Sequence, residues 1–469
     1  MNGREEQKPR REKVRQEKSM TCKQLTTRTV TLAVAALIAV GASLAQANDA
    51  ILDLLVKKGV INQREANDIR EQADADMAKQ MEVNDKTKVA PFLQSMEWAG
   101  DMRLRAEYFS HDNVINGPRN TDRTRFRYRL RFGFVSKLQD WATVGVRLAS
   151  GNNDAVSSNQ TMGGYSSRKN IGIDNAYIAV TPPFADWLTV TGGKFDSKLM
   201  WQPAFASPMV YDFDTCPEGV VEQLSYAFGE QKQFRLFGNF GQFVLNEVNG
   251  TGAAVNNNDV YMYDFQVGVE AKTGPVKTTA VVGMYYTQNL GFVNRTTGPI
   301  ANGEANTGNS VTGAGNYLDN FHVLYGRGEV AWTINDKTVL GTPNLVTFSG
   351  EYLRNCSSAY HAAGIGETGW TGQIAYGQNK KQGQWQLGYQ YKRLEANATW
   401  DAMTDSDWGS SGGTDRKGHV FMAAYNIRDW WTFGIKTFVT EKISNTGPTL
   451  GSTTGPDLLR VQVDTVVKF

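Results

Sequence analysis

The chain has 469 residues, of which 41% are hydrophobic and 47 are glycine, with only 13 prolines and three cysteines. This composition excludes both a disordered chain and a scaffold built from disulfides. The 49 Lys and Arg residues nearly balance the 47 Asp and Glu residues, so the sequence also lacks the basic footprint of a nucleic-acid-binding protein.

Residues 1–47 have the parts of a secretory signal peptide. A basic segment precedes an apolar run over residues 30–44 and the small-residue cleavage site Ala45-Gln46-Ala47. The apolar run is shorter than the roughly 20 residues that a transmembrane helix needs. We therefore predict a signal peptide that is cleaved after this motif, with translation starting at Met1 or at Met20.

Cleavage changes the charge and cysteine content of the chain. It removes nine basic and four acidic residues, which leaves a mature net charge of about −3. The remaining cysteines, Cys216 and Cys356, are too few and too far apart for a metal site. In an oxidising compartment they either pair or stay buried as small apolar side chains. The mature chain has no further apolar run of roughly 18 residues, which excludes helical membrane spans.

Residues 48–90 have a helical pattern. Apolar residues recur at helical spacing and a glycine stop signal follows: Ile51, Leu52, Leu55, Val56 and Gly59. We expect a short periplasmic α-helical segment that serves docking or oligomerisation.

From Ser95 onward the pattern changes to segments of about 9 to 14 residues in which apolar and polar residues alternate. In the last segment, Leu459, Val461 and Val463 share an apolar face, and Arg460 and Gln462 share the opposite polar face. A soluble β-sandwich alternates in the same way, so alternation alone does not decide the fold.

The lengths of the links between segments decide the fold. Short links such as 139–140 and 428–429 alternate strictly with long ones such as 150–170 and 397–414. Short periplasmic turns that alternate with long external loops are typical of an outer-membrane barrel. The sequence therefore predicts an all-β fold, a transmembrane antiparallel β-barrel of about 16 strands (16 to 18) over residues 95–469.

Three of the short links are followed by the same pattern, an Asp and then a Trp at the start of a strand. The tryptophans are Trp141, Trp187 and Trp430. An amphipathic indole at this position suits the aromatic girdle of a barrel, whereas ordinary core packing is the alternative. We predict that the three form the periplasmic girdle.

Five arginines occupy alternate positions of one predicted strand: Arg123, Arg125, Arg127, Arg129 and Arg131. Each would cost about 2–4 kcal/mol if it faced lipid near the midplane, so we predict that they line an aqueous lumen. Arg103, Arg105 and Arg147 complete the predicted pore-lining set. The alternative is a structural ladder of ion pairs with acids on the preceding strand, and the two roles can coexist.

The link over residues 196–218 is the third long loop and is unusually rich in aromatic residues. If the loop folds into the barrel, its rings are buried and Asp212, Asp214 and Glu218 face the arginines. That arrangement predicts a charge-lined constriction. The alternative is an external loop that packs on its neighbours.

Several motifs resemble the putative porin family of Gram-negative bacterial outer membranes. They are Leu54-Leu55-Val56-Lys57-Lys58-Gly59-Val60-Ile61, Gly193-Lys194-Phe195, Tyr211-Asp212-Phe213-Asp214, Pro217-Glu218-Gly219 and the terminal Phe469. The resemblance covers essentially the whole mature chain. It implies a passive diffusion channel and is compatible with the homotrimer of general porins. Phe469 looks like the assembly signal that the barrel assembly machinery reads.

We therefore expect a water-filled channel for passive diffusion of ions and small hydrophilic solutes, surrounded by outer-membrane lipid and lipopolysaccharide. An anion-selective or phosphate-selective porin is one alternative, and a non-channel barrel for adhesion or secretion is another. The four histidines show no metal-ligand spacing and no nucleophile motif is present. We accordingly expect no catalytic residues, no metal and no cofactor.

Overall fold

The structure, a computed structural model, describes residues 93–112, 122–151, 154–247, 259–295, 308–409, 411–444 and 457–469, together with Lys57, Lys58 and Arg64. The predicted signal peptide and nearly all of the predicted helical segment lie outside the described residues. The chain divides into two units, Met1–Pro91 and Phe92–Phe469, and the second is described below. No helix in these ranges is long and apolar enough to cross a membrane.

The second unit is built from sixteen long strands in the part of the chain that the structure describes. They are β1 Ser95–Asp112, β2 Arg123–Gln139, β3 Ala142–Ser150, β4 Ile171–Val180, β5 Leu188–Lys194, β6 Glu218–Phe228, β7 Phe234–Asn246, β8 Val260–Thr273, β9 Val276–Gln288, β10 His322–Val339, β11 Thr342–Asn355, β12 Thr368–Gly377, β13 Trp385–Leu394, β14 Arg416–Arg428, β15 Trp431–Lys442 and β16 Asp457–Lys468.

Shorter elements lie in the long links. A two-residue strand, Gln160–Thr161, pairs with β2 beyond the end of β3. One short α-helix, α1, covers Ser358–Ala362, and single 3-10 turns cover Ser197–Leu199, Leu290–Phe292 and Asp401–Met403.

The sheet closes on itself. Each long strand pairs antiparallel with its neighbours in sequence, and β16 pairs with β1 over a register that runs from Asp101↔Lys468 to Asp112↔Asp457. Closure satisfies the backbone groups that an open edge would leave unpaired. The predicted sixteen-stranded antiparallel barrel is therefore confirmed.

Alternation along each strand separates an outer from an inner surface. On β2, Phe126 and Phe132 are 55% and 43% exposed, whereas Arg125 and Arg129 are 5% and 7% exposed. Exposed apolar side chains at every second position form the lipid-facing band of a membrane barrel. The arginines therefore lie on the lumen side.

The inner surface is not an empty pore in this barrel. Met209, Tyr211 and Trp400, which belong to long loops rather than strands, are almost completely buried against wall residues such as Tyr325. Rings from loops can be buried at that depth only if the loops fold into the lumen. The fold thus places loop segments inside the lumen of the barrel.

Candidate functional site

Two long loops fill part of the lumen. Loop L3 (residues 195–217) connects β5 to β6, and loop L7 (residues 395–415) connects β13 to β14. The third long loop of the sequence analysis, residues 196–218, corresponds to L3, and L3 lies inside the barrel.

Glycines let the chain leave and rejoin the wall around L3. Gly193 has a φ of 122° and Gly219 has a φ of 150°, both in a region that side chains rarely adopt. A Cβ at Gly193 would lie 2.3 Å from the carbonyl oxygen of Ala176, and one at Gly219 would lie 2.0 Å from that of Gln242. The ends of the two strands that flank L3 therefore depend on residues without a side chain.

Glutamines of the opposite wall fix the backbone of L3. They accept hydrogen bonds from three backbone N–H groups of the loop: Trp201 N to Gln266 at 2.8 Å, Ala206 N to Gln373 at 2.6 Å and Ser207 N to Gln390 at 2.7 Å. Because these glutamines lie on β8, β12 and β13, L3 is held across the width of the lumen.

A buried polar cluster holds the middle of L3. Asp264 of β8 accepts hydrogen bonds from the hydroxyls of Tyr211 and Tyr325, at 2.6 and 2.5 Å. Arg327 of β10 donates to the carbonyl oxygen of Trp201 at 2.9 Å and to the buried Glu351 at 2.7 Å. Buried charges are stable only when they are paired, and Arg327 and Glu351 pair with each other here.

L7 supplies acidic residues to the same site. Asp407 pairs with Arg105 of β1 at 2.9 Å and with Arg460 of β16 at 2.8 Å. Trp408 is completely buried, and the Nζ of Lys392 lies 4.2 Å from the centre of its ring. L7 is therefore fixed to the wall by both ion pairs and packing.

The sequence analysis missed L7, although the same signal that identified L3 is present there. L7 carries aromatic and acidic residues in close succession, Trp400-Asp401 and Asp405-Ser406-Asp407-Trp408. Aromatic rings that accompany carboxylates in a long loop of a barrel indicate that the loop folds inward, because exposed rings would form an apolar surface patch.

The arginines of β2 face the lumen and most of them are ion-paired. Arg125 bonds to Glu107 at 2.7 Å. Arg129 bonds to Asp101 at 2.7 Å and to Asp214 of L3 at 3.2 Å, and Arg131 contacts the same two carboxylates. The arginines that were predicted to line the lumen therefore also form the ladder of ion pairs that was the alternative interpretation.

The other predicted pore-lining arginines have different surroundings. Arg103 donates to the amide oxygen of Asn159 at 2.5 Å, and Arg127 donates to the carbonyl oxygen of the same residue at 3.3 Å. Arg147 pairs with Asp174 at 2.5 Å and Asp196 at 3.0 Å. Arg123 lies at the exposed upper end of β2.

The two aspartates near the end of L3 are electrostatically different. Burial alone would raise the pKa of Asp214, but Arg129 and Arg103 hold it below its ordinary value. Burial and the neighbouring Asp405 instead raise the pKa of Asp212 well above its ordinary value. Asp214 is therefore the charged group that faces the arginines, whereas Asp212 accepts hydrogen bonds that join L3 to Ser406 of L7.

The prediction that Glu218 belongs to the constriction is corrected by its position. It is the first residue of β6, pairs with Lys194 at 2.9 Å, and has a side chain that is 63% exposed. Its neighbour Gly219 pairs with Phe243, whose buried ring lies on the lumen side. Because successive side chains of a strand point to opposite faces, Glu218 points outward.

Comparison with known families decides the class of protein. The family model described as putative porin matches residues 106–310 and 330–469. The chain belongs to the putative porin family. Membership identifies the barrel as a channel for passive diffusion in the outer membrane of a Gram-negative bacterium, and it points to a channel rather than an enzyme.

The chain is also similar in fold to several solved structures. They include the high-pH structure of Pseudomonas putida OprB (11% identity, TM-score 0.49, 80% of this chain and 94% of that chain), the outer membrane channel DcaP of Acinetobacter baumannii (12%, 0.42, 80% and 97%) and Salmonella typhi OmpF in complex with daunomycin (10%, 0.44, 80% and 97%). No curated protein matches the sequence.

The predicted girdle residues of the porin lie at one rim of the barrel. Trp141, Trp187 and Trp430 each come directly before a strand that follows a short turn. Trp187 and Trp430 are about half exposed, and their place in an aromatic girdle stays a prediction. Phe469 lies at the same rim, where its N–H donates to Gly100 at 3.0 Å.

The two cysteines of the mature porin are both free thiols; Cys216 is buried and Cys356 is exposed. The pairing that the sequence left open therefore does not occur in this structure. Within the described ranges, no three or more His, Cys, Asp or Glu residues are placed to hold a metal ion.

Proposed function

We propose that the porin is a narrow diffusion channel that prefers small hydrophilic anions. The observation that carries this proposal is the excess of cations at the constriction. On β1, β2 and β16 and the facing parts of L3 and L7, the described network contains seven arginines and five carboxylates: Arg103, Arg105, Arg125, Arg127, Arg129, Arg131 and Arg460 with Asp101, Glu107, Asp214, Asp407 and Asp464. The neighbouring Lys392 and Lys436, together with Asp212 and Asp405, leave the same excess of two cations.

Each of the five carboxylates is already bonded to at least one arginine. Asp464, for example, accepts from Arg105 at 2.7 Å. Arg103, in contrast, has no ion-pair partner among the described residues, and its side chain is partly exposed. A partly exposed guanidinium without a carboxylate partner can bind a carboxylate or phosphate oxygen of a passing solute.

The paired arginines also contribute to selectivity through their geometry. Asp214 and Asp407 come from loops, whereas the arginines that they face come from the wall. A solute therefore passes between charges of opposite sign, in a field that orients polar molecules and favours compact ones.

Ion selectivity in planar bilayers tests the proposal. We expect stepwise conductance from the purified porin and a reversal potential in a salt gradient that shows anion preference. Arg103→Gln should reduce that preference. Arg354→Gln is the matched control, because Arg354 is exposed and pairs with Glu367 away from the lumen. A cation-selective reversal potential would overturn the anion preference, and absence of stepwise conductance would overturn the channel.

We also propose the remaining features of the biological unit. Residues 1–47 are removed as a signal peptide, residues 48–90 form a periplasmic helical segment, and the barrel assembly machinery inserts the chain as a homotrimer beside lipid and lipopolysaccharide. The position of Phe469 on the last strand supports a role in assembly. N-terminal sequencing of the protein from outer membranes tests the cleavage site, and deletion of Phe469 should lower the amount of folded barrel.

A further inference from the structure

Three cations lie together on the short-turn rim of the barrel. Lys380 and Lys381 belong to the turn between β12 and β13, and Arg428 is the last residue of β14, at the next turn. All three residues are exposed, and none of them forms an ion pair with another described residue. Because the short turns of outer-membrane barrels are periplasmic, these cations lie on the periplasmic side of the membrane.

Hydrogen bonds tie the two turns into one surface. The N–H of Gly383 donates to the carbonyl oxygen of Asn426 at 2.8 Å, and the N–H of Gln382 donates to the carboxylate of Asp429 at 2.5 Å. Asp429 is the only acidic residue in the ranges 378–384 and 428–430, so it offsets one of the three cations. The joined turns therefore keep an excess of two positive charges.

Two other turns of the same rim carry the opposite charge. The links over residues 140–141 and 181–187 contain one aspartate each, Asp140 and Asp186, and neither link contains a cation. Both have the same Asp-Trp pattern as Asp429-Trp430, so the turns differ in their cations and not in this pattern. Positive charge is therefore concentrated on one part of the periplasmic rim.

An apolar surface adjoins the cations on the lipid-facing side of the barrel. Tyr425 and Trp431, next to the turns, are 47% and 36% exposed. Farther from the turns, Ala423 lies in register between the exposed Leu387 and Ile435, so a small residue leaves a groove between two larger ones. Aromatic rings suit the headgroup level of a membrane, and apolar side chains suit the acyl chains beyond it.

We propose that Lys380, Lys381 and Arg428 bind the phosphate group of an anionic phospholipid in the periplasmic leaflet, with an acyl chain of that lipid along Ala423. A guanidinium binds phosphate oxygens through two parallel hydrogen bonds, and each lysine adds a compact positive charge. Basic residues at a membrane surface attract lipids with net negative charge, such as phosphatidylglycerol, over zwitterionic ones. The site lies outside the lumen, so the proposal does not rest on the proposed anion preference.

Retention of lipids by the full chain tests the proposal. The porin is equilibrated in detergent with phosphatidylglycerol and phosphatidylcholine of identical acyl chains, and native mass spectrometry counts the lipids that stay bound. We expect phosphatidylglycerol to be retained preferentially, and the double substitution Lys380→Gln/Lys381→Gln to lower that preference by about fivefold per lysine. Equal retention of the two lipids by the unsubstituted porin would overturn the proposal.

Two control variants separate this site from general surface charge. Lys380→Arg/Lys381→Arg should keep the preference, because both charges remain. Lys232→Gln should also keep it, because Lys232 is an exposed lysine of a different short turn, between β6 and β7. A loss in Lys232→Gln as large as the loss per lysine in the double glutamine variant would overturn the assignment to this site.

Two further measurements identify the place and the ligand. Photoactivatable phosphatidylglycerol should crosslink to residues 376–389 or 421–435, and crosslinks confined to other strands would overturn the proposal. Inorganic phosphate at the concentration of the lipid should not displace phosphatidylglycerol. Displacement by phosphate, or retention of lipopolysaccharide in place of phosphatidylglycerol through the same two lysines, would show that the ligand is not a phospholipid. The reversal potential is measured separately and tests only the proposed anion preference.

Discussion

Arg460 of β16 donates to Glu107 of β1 at 2.6 Å, and both side chains are completely buried. The pair lies where the last strand meets the first. Arg460 also bonds to Asp407, so one guanidinium joins the closing strands to loop L7. Closure of the barrel and placement of L7 are therefore coupled.

Loss of Glu107 should strongly destabilise the barrel. Glu107→Ala removes a buried carboxylate that bonds to both Arg125 and Arg460, for an expected loss of about 3–5 kcal/mol. Thermal unfolding in detergent measures the effect. Glu441→Ala is the control, since its pair with Lys417 is largely exposed and should contribute less than about 1 kcal/mol. Equal effects of the two substitutions would contradict the assignment of Glu107 as a buried anchor.

Neutralising Asp214 should loosen the constriction. Asp214 bonds to Arg129 and also accepts from the N–H and hydroxyl of Ser158. Asp214→Asn should raise single-channel conductance and shift the reversal potential further toward anions, because a negative charge leaves the lumen. Glu218→Gln should change neither quantity, since Glu218 points outward. If Asp214→Asn changed neither the conductance nor the reversal potential, L3 would not control the passage of ions.

Removing the ring of Trp408 should release L7. The indole is completely buried and packs against Lys392 and Phe438. Trp408→Ala should cost about 3–5 kcal/mol and increase conductance or its fluctuations as L7 detaches from the wall. Trp370→Ala, on the lipid-facing surface, is the control and should leave conductance unchanged. Unaltered conductance in Trp408→Ala would separate L7 from the permeation path.

Stability should depend on pH through Asp401 of L7. Burial raises the pKa of Asp401 from 3.8 to about 6, despite Arg295 and the hydrogen bond from Asn309. Because its pKa is raised in the folded state, Asp401 contributes to the free energy of unfolding when it is protonated. This contribution is fully present below pH 3.8 and is lost as the pH rises through about 6. Relative to the unsubstituted porin, Asp401→Asn should therefore gain up to about 3 kcal/mol between pH 4 and 7. If the difference in the free energy of unfolding between the two proteins did not change with pH, the result would contradict this role of Asp401.

The fold was predictable because each strand has an alternating pattern of apolar and polar residues that can be recognised without knowledge of its partners. Alternation in residues such as Leu459 and Arg460, together with links of alternating length, determines both the closed sheet and which face meets lipid. The lumen-facing orientation of the β2 arginines was predictable for a similar reason. Each arginine would cost free energy in lipid by itself, whatever its partners in the fold.

The pairing inside the lumen was not predictable from the sequence. Which carboxylate meets which arginine depends on contacts between residues far apart in the chain, such as Asp407 with Arg105. The error at Glu218 has a local cause, because L3 ends one residue before it and strand alternation then turns its side chain outward.

The course of L3 across the barrel also sets an order of events during folding. Ser207 bonds to Lys392, 185 positions later in the chain, and Ala206 to Lys436, 230 positions later. These bonds cannot form until the strands that carry both lysines are in place, so the loop reaches its final position late, after most of the wall exists. A newly inserted barrel would therefore pass through a wide, unplugged stage before its permeability narrows to that of the mature protein.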